Sequence, residues 1–277
     1  VVTEKTLVVA ISQSGETMDT LMAVRHAREQ GAKVIALCNT RGSTIPRESD
    51  AALYLHVGPE IAVASTKAYL GQIVASYLLG LFLAQVRGNL FPDEIAALME
   101  DLEQIPAQIQ QVLDSSAQVE QLAKDMKDVT SVLFLGRHVG YPTAMEGALK
   151  LKEIAYIHAE GFAAGELKHG PIALIDDGQP VFVVMPSPMD RHSLHAKVVS
   201  NIQEVRARGA RTFAVAERGD AAVRGQAEVV FEVPETQPML MPLLTTVPLQ
   251  IFALELATAK GYDVDQPRNL AKSVTVE

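Results

Sequence analysis

Leu7-Val8-Val9-Ala10-Ile11-Ser12-Gln13-Ser14-Gly15-Glu16-Thr17 is an apolar run that passes directly into a hydroxyl-rich turn, and its surroundings recur later in the chain. A helical stretch follows, then a second apolar run at Gly31-Ala32-Lys33-Val34-Ile35-Ala36-Leu37. Downstream, residues 181–185 read as a strand, 194–207 as a helix, and Gly209-Ala210-Arg211-Thr212-Phe213-Ala214-Val215 as the next strand. Each copy continues through a β-like segment into a long apolar helix, 65–86 in the first and 242–260 in the second. A strand, loop and helix over 132–157 precede the second copy and have no counterpart ahead of the first. The expectation is a duplicated α/β protein whose first repeat is truncated at its N-terminus by about one strand and one helix. Continuous Val/Ile/Leu/Ala strands alternating with helices predict two tandem, doubly wound parallel sheets, each covered on both faces in a three-layer, flavodoxin-like arrangement.

The first repeat is divided into strand 6–11, helix 17–30, strand 33–38, a short helix at 43–48, strand 52–56 and helix 65–86. From 93 to about 127 the chain is amphipathic and charged, which predicts a helical connector broken at Pro106. The second repeat reads as strand 131–135, helix 143–157, a loop over 161–171, and strands 181–185, 212–216 and 229–233. Domains are therefore expected at 1–91 and 129–260, joined by a connector at 92–128 and followed by a polar tail at 261–277.

A formal net charge of −9 argues against a surface built to neutralise a phosphate backbone, so no nucleic-acid partner is expected. A small anion can still be held locally by backbone amides and a few lysines. The single cysteine, Cys38, ends an apolar strand; no intrachain disulfide can form, which suits a reducing cytoplasm and a buried thiol. Residues 68–86 and 239–259 are apolar enough to invite a membrane reading, but Gln72, Gln85, Glu255, Pro242 and Pro248 interrupt them. They fit better as helices packed on a sheet or at a subunit contact.

In open α/β sheets, ligands bind beyond the carboxyl ends of the strands. The Ser12–Thr17 turn is so placed, and its hydroxyls and free helix-start amides suit a phosphate or sugar phosphate. Simple capping by Ser14 or Thr17 explains the same residues, as it does Ser65-Thr66 at the start of the next long helix. Glu146, Lys150 and Glu153 are spaced four and three apart and share a helix face. A solvated ion-pair ladder accounts for that spacing, and so does a proton-transfer carboxylate beside a cation. His169 sits in a loop pinned by Gly170 and Pro171, where an imidazole suits acid–base work, whereas His158, His192 and His195 have no comparable setting. With one cysteine and scattered histidines, no metal or other cofactor is expected.

Taken together, Ser12-Gln13-Ser14-Gly15-Glu16-Thr17 and Glu146-Gly147-Ala148-Leu149-Lys150-Leu151-Lys152-Glu153 resemble the sugar isomerase (SIS) domain family. The run Ala164-Gly165-Glu166-Leu167-Lys168-His169-Gly170-Pro171 and the ending Asp265-Gln266-Pro267-Arg268-Asn269-Leu270-Ala271-Lys272-Ser273-Val274-Thr275-Val276-Glu277 narrow the resemblance. They are similar to the isomerase half of the glutamine–fructose-6-phosphate aminotransferases, over essentially the whole chain. The resemblance implies formation of glucosamine 6-phosphate from fructose 6-phosphate, with ammonia from a glutaminase domain that this chain does not contain. It implies that Ser12, Gln13, Ser14 and Thr17 hold the sugar phosphate, while Val63, Ser65 and Ala271 line the sugar. Glu153 would move a proton between carbons 1 and 2, and Lys150 would tune the charge around it. His169, from the partner subunit of a homodimer, would assist ring opening. Lys272 would contact the open-chain sugar or form a Schiff base with it.

Two other readings stay open: a non-catalytic phosphosugar-binding SIS module, and a related phosphosugar isomerase or deglycase. The absence of a helix-turn-helix speaks against a regulator, and the Asp265–Ser273 run against the related enzymes. The incomplete first repeat further implies a sheet with exposed apolar edges, less stable than a complete one.

Overall fold

A computed structural model describes residues 1–189 and 194–272. His192 and the last five residues of the closing motif, Ser273 to Glu277, lie outside the described residues. The chain forms two compact units, one comprising Val1–Ala96 and the segment from Asp265 onward, the other Ala97–Val264.

In the first unit, β1 (Leu7–Ser12), β2 (Lys33–Cys38) and β3 (Ala51–Tyr54) form a parallel sheet in that order. Helix α1 (Met18–Glu29) and the short α2 (Thr44–Arg47) make the crossovers, and α3 (Lys67–Val86) follows the last strand. Strand alternation sends Ala10, Val34 and Ala36 to one face. There they meet Leu21, Val24 and Ala27, spaced three apart along α1, and Ile45 of α2. Cys38 ends β2 fully buried, as its position in the apolar run implies.

Helices α4 (Pro92–Asp114) and α5 (Ala117–Asp125) lie between the two sheets in sequence. Contrary to expectation, Pro106 lies inside α4 without breaking it. Proline removes one helical hydrogen bond, but Ile105 and Val112 are buried on the helix and favour its continuation. The interruption falls instead at Ser115 and Ser116. Ser115 Oγ donates to the Gln111 carbonyl (3.0 Å), and Ser116 Oγ to the Glu120 carboxylate (2.7 Å).

The second unit holds β4 (Ser131–Gly136), β5 (His158–Ala163), β6 (Pro180–Val184), β7 (Arg211–Glu217) and β8 (Val229–Val233), all parallel in the order β5-β4-β6-β7-β8. The run β6-β7-β8 repeats the order β1-β2-β3. Register places Leu135, Val183 and Ala214 side by side on one face, under Val198, Ile202 and Val205 of α7 (Leu194–Arg206). Phe134, Phe182 and Phe213 align on the other face, with Phe182 centred 5.1 Å from each neighbour and 4.6 Å from Phe252 of α8 (Met241–Ala259). Gly147 of α6 (Gly140–Lys150) packs into this layer, where a Cβ would lie 2.9 Å from the Phe134 ring and 2.8 Å from Leu249.

Two expectations are corrected in this unit. The helix expected over 143–157 starts earlier and gives way at Leu151–Ala155 to a single π-helical turn, closed by Tyr156 in the left-handed region at φ 55°. The stretch read as a loop from 161 begins as strand β5 and continues as two 3-10 turns, Ala164–His169 and Pro171–Leu174. Both α3 and α8 are long and apolar enough to cross a membrane. Most of α8 is buried within its unit, whereas few residues of α3 are.

Candidate functional site

At the carboxyl end of β1, the hydroxyl-rich turn is locked in place by its own groups. Ser12 Oγ accepts the Gly15 N–H (2.9 Å) and Ser14 Oγ accepts the Glu16 N–H (3.2 Å). The Gly15 carbonyl takes the Ile45 N–H (2.9 Å), and the Glu16 carboxylate takes the Thr44 N–H (2.8 Å). These Thr44 bonds hold the Glu16 carboxyl below its ordinary range. Gly15 is required here: its φ is +70°, and a Cβ would lie 2.0 Å from Ser43 Oγ. Thr17 occupies the cap position of α1, but its side chain makes no capping bond, so capping does not account for this hydroxyl.

Beside the turn lies a cavity of about 790 Å³, to which Gln13, Ser14 and Lys272 contribute. Its wall also includes Thr40, Arg41 and His56, which the sequence did not single out. Arg41 Nη2 donates to His56 Nδ1 (3.2 Å), and its guanidinium lies 5.8 Å from the Tyr54 ring centre. His56 is itself in the left-handed region at φ 56°. Ser12 is buried beneath the turn. Ser12, Thr17, Val63, Ser65 and Ala271 do not line the cavity directly.

Behind the cavity, the Val63 N–H donates to the Asp265 carbonyl (3.0 Å) and Lys272 Nζ to the Ala62 carbonyl (2.6 Å). The tail thus folds against the segment that carries Val63. Ser65 and Thr66 do not cap α3 with their own oxygens. Their partner is Glu60, which is only 8% exposed. Its carboxylate accepts Ser65 Oγ (3.1 Å), Thr66 Oγ1 (3.1 Å), the Thr66 N–H (2.7 Å) and the Ala68 N–H (3.3 Å). No local pattern could have announced this, because the acceptor lies outside the helix it caps.

In the second unit, Glu146, Lys150 and Glu153 do share one face, but the ladder is not solvated. Lys150 is 3% exposed and Glu146 6%. Lys150 Nζ lies 2.5 Å from Glu153 Oε2 and 3.4 Å from Glu146 Oε1. Glu153 sits on the π turn with its side chain 23% exposed, the one member of the three that solvent reaches. Such turns recur at functional sites. An ammonium held between two carboxylates, one of them open, is an arrangement suited to proton transfer. His169 is exposed at the end of its 3-10 turn, next to Gly170 at φ 148°.

His195 has more of a setting than its sequence suggested. Its Nε2 is 2.6 Å from the Asp220 carboxylate. Glu217, at the end of β7, is 9% exposed, and its Oε2 has no hydrogen-bond partner among the described residues. Burial pushes its carboxyl above the ordinary range; Glu235 and Asp220 add to that, against Ser187 and His195.

Residues 1–81 and 125–260 match the SIS domain family. The chain is 70% identical over its full length to glutamine–fructose-6-phosphate aminotransferase [isomerizing] of Corynebacterium efficiens, and 62% identical to that of Mycobacterium tuberculosis. It spans 44% of each relative, less than half their length. Among solved structures, it is similar to the C-terminal domain of glucosamine-fructose-6-phosphate aminotransferase from Francisella tularensis. The TM-score is 0.88 at 41% identity, over 94% of this chain and 73% of that one.

Proposed function

The chain belongs to the SIS domain family, among the C-terminal parts of the glutamine–fructose-6-phosphate aminotransferases, and from that premise we propose that it is the isomerase half of such an enzyme. The reaction converts fructose 6-phosphate and ammonia to glucosamine 6-phosphate and water. Ammonia adds to the carbon 2 carbonyl of the open-chain sugar and water leaves. One proton then moves from carbon 1 to carbon 2 and the carbon 1 hydroxyl gives its proton to the nitrogen, leaving an amino aldose. Ammonia comes from a glutaminase domain outside this chain.

The observation that carries this reading is the Lys150 ammonium buried between Glu146 and the partly open Glu153. Glu153 is the base that takes the carbon 1 proton and returns it at carbon 2. Lys150 pairs with Glu153 and offsets negative charge on the enediol-like oxygens. In the first unit, Gln13, Ser14 and Thr17 grip the phosphate with the amides that open α1, and Ser12 holds the turn in shape from beneath. Val63, through its backbone, together with Ser65 and Ala271, lines the sugar. Holding the phosphate remotely positions carbons 1 and 2 without entering the chemistry. Lys272 contacts the open-chain sugar or condenses with its carbonyl as a Schiff base, releasing water, and ammonia then displaces the lysine. His169, supplied by the partner subunit of a homodimer, assists ring opening. A cytoplasmic location fits the single buried thiol.

The test is conversion of fructose 6-phosphate with and without ammonium, comparing the chain with Glu153→Gln. Product that disappears in the variant supports both the activity and the base. Sugar phosphate binding without turnover, in the chain and in a version extended at its N-terminus, would favour the phosphosugar-binding module instead.

A further inference from the structure

Glu60 is a buried anionic side chain to which no chemistry has been assigned, in the segment that carries Val63 and Ser65. Its two oxygens accept four hydrogen bonds, all from residues 65 to 68. That number saturates a carboxylate and favours its ionised form. Burial alone would raise its proton affinity, but the bonds from Thr66 and Ser65 and the positive charge of Lys272 outweigh burial and hold the carboxyl below its ordinary range. Glu60 and Lys272 line the same cavity. The tail is tied to the residues just after Glu60 by Lys272 Nζ donating to the Ala62 carbonyl and the Val63 N–H donating to the Asp265 carbonyl.

We infer that Glu60 is a positioning residue for Lys272, its fixed negative charge holding the lysine as an ammonium docked on the Ala62 carbonyl until substrate arrives. The inference rests on the proposed function only in giving Lys272 a task at the sugar; the Glu60–Lys272 relationship rests on the cavity both side chains line and on the bond of Lys272 to the Ala62 carbonyl, two residues from Glu60. An amine that attacks a carbonyl must first lose its proton, and a neighbouring carboxylate opposes that loss. Glu60 thereby keeps the lysine protonated and docked while no sugar is bound. Other charged groups around the cavity are Arg41, His56 and Glu16, and Lys67 approaches its rim near Gly58. Arg41 and Lys67 favour the neutral amine, so Glu60 acts against them.

The experiment measures the rate at which acetic anhydride labels Lys272, by mass spectrometry across pH, in the parent chain, Glu60→Gln and Thr66→Val. Glu60→Gln removes the charge and keeps the shape. Thr66→Val removes one hydrogen bond to Glu60 and keeps the charge. The expected result is a labelling midpoint lower by about one pH unit in Glu60→Gln, a roughly tenfold change in proton affinity, with Thr66→Val at the parental midpoint. Equal shifts in both variants, or none in either, would overturn the inference and leave Glu60 as a helix anchor alone. Ammonia-dependent turnover of fructose 6-phosphate by the parent is followed in parallel. Absent turnover with an intact labelling shift counts against the proposed function and spares the inference, whereas turnover without the shift does the reverse.

Discussion

Lys150 Nζ and Glu153 Oε2 lie 2.5 Å apart across the junction of α6 with its π turn, the lysine 3% exposed and the glutamate side chain 23%. The regular helix ends where that turn begins, so Glu153 sits in the middle of the π turn, three residues before the left-handed Tyr156. A buried cation and a half-open carboxylate are thereby held together by one segment of backbone. Removing the cation breaks an ion pair in which Glu146 is 6% exposed. Lys150→Met is therefore expected to cost about 3–5 kcal/mol of unfolding free energy. Urea denaturation monitored by circular dichroism measures it, and a loss below about 1 kcal/mol would refute the buried-cation account.

Gly15→Ala places a methyl group against Ser43 at a backbone angle that side chains rarely adopt. We expect a loss of about 1–3 kcal/mol in stability, together with at least tenfold weaker fructose 6-phosphate binding by calorimetry. Unchanged affinity would separate the turn from the phosphate grip.

Phe182 touches Phe134, Phe213, Phe231 and Phe252 and is fully buried. Phe182→Ala should cost about 3–5 kcal/mol, the range for emptying an aromatic site in a close-packed core. Thermal unfolding reads this directly.

Glu217 gives the pH prediction. Its carboxyl titrates above the ordinary 4.5 in the folded protein, so the folded state binds that proton more tightly than the unfolded chain. The stabilisation is complete below pH 4.5 and is lost as pH rises through the folded pKa. Glu217→Gln should therefore unfold at a higher temperature than the parent at about pH 8, with the advantage narrowing towards about pH 4. An advantage independent of pH would assign the effect to packing.

Subunit mixing tests the proposed origin of His169. His169→Ala and Glu153→Gln should each lower turnover by about 10²-fold or more. Mixed after partial denaturation and refolding together, they should recover activity, because a heterodimer rebuilds one site from an intact Glu153 and the partner's intact His169. No recovery would place both residues in the same subunit's site.

The chain's repeats and its apolar runs were readable from residues alone. Strands 33–38 and 229–233 coincide with β2 and β8, and the order of strands and helices follows the repeats. The strand β5 was not readable, because His158-Ala159-Glu160-Gly161-Phe162-Ala163 has no β-branched residue and only broken apolar character. It exists as a strand because β4 offers a parallel edge in register, Ser131 to His158 through Gly136 to Ala163. Spacing put Glu146, Lys150 and Glu153 on one face, since helical geometry is set by the covalent chain. Whether that face meets water or protein is not a local property. Residues far along the chain decide it, and the same ion pairs pass from a solvated ladder to a buried cluster. Glu60 is the sharper case. Its sequence neighbourhood holds no signal, and only the folded backbone carries the Thr66 and Ala68 amides to its carboxylate. Local chemistry determined the pattern of elements. Tertiary structure decided which charges water could reach, because exclusion of solvent depends on everything packed around a group.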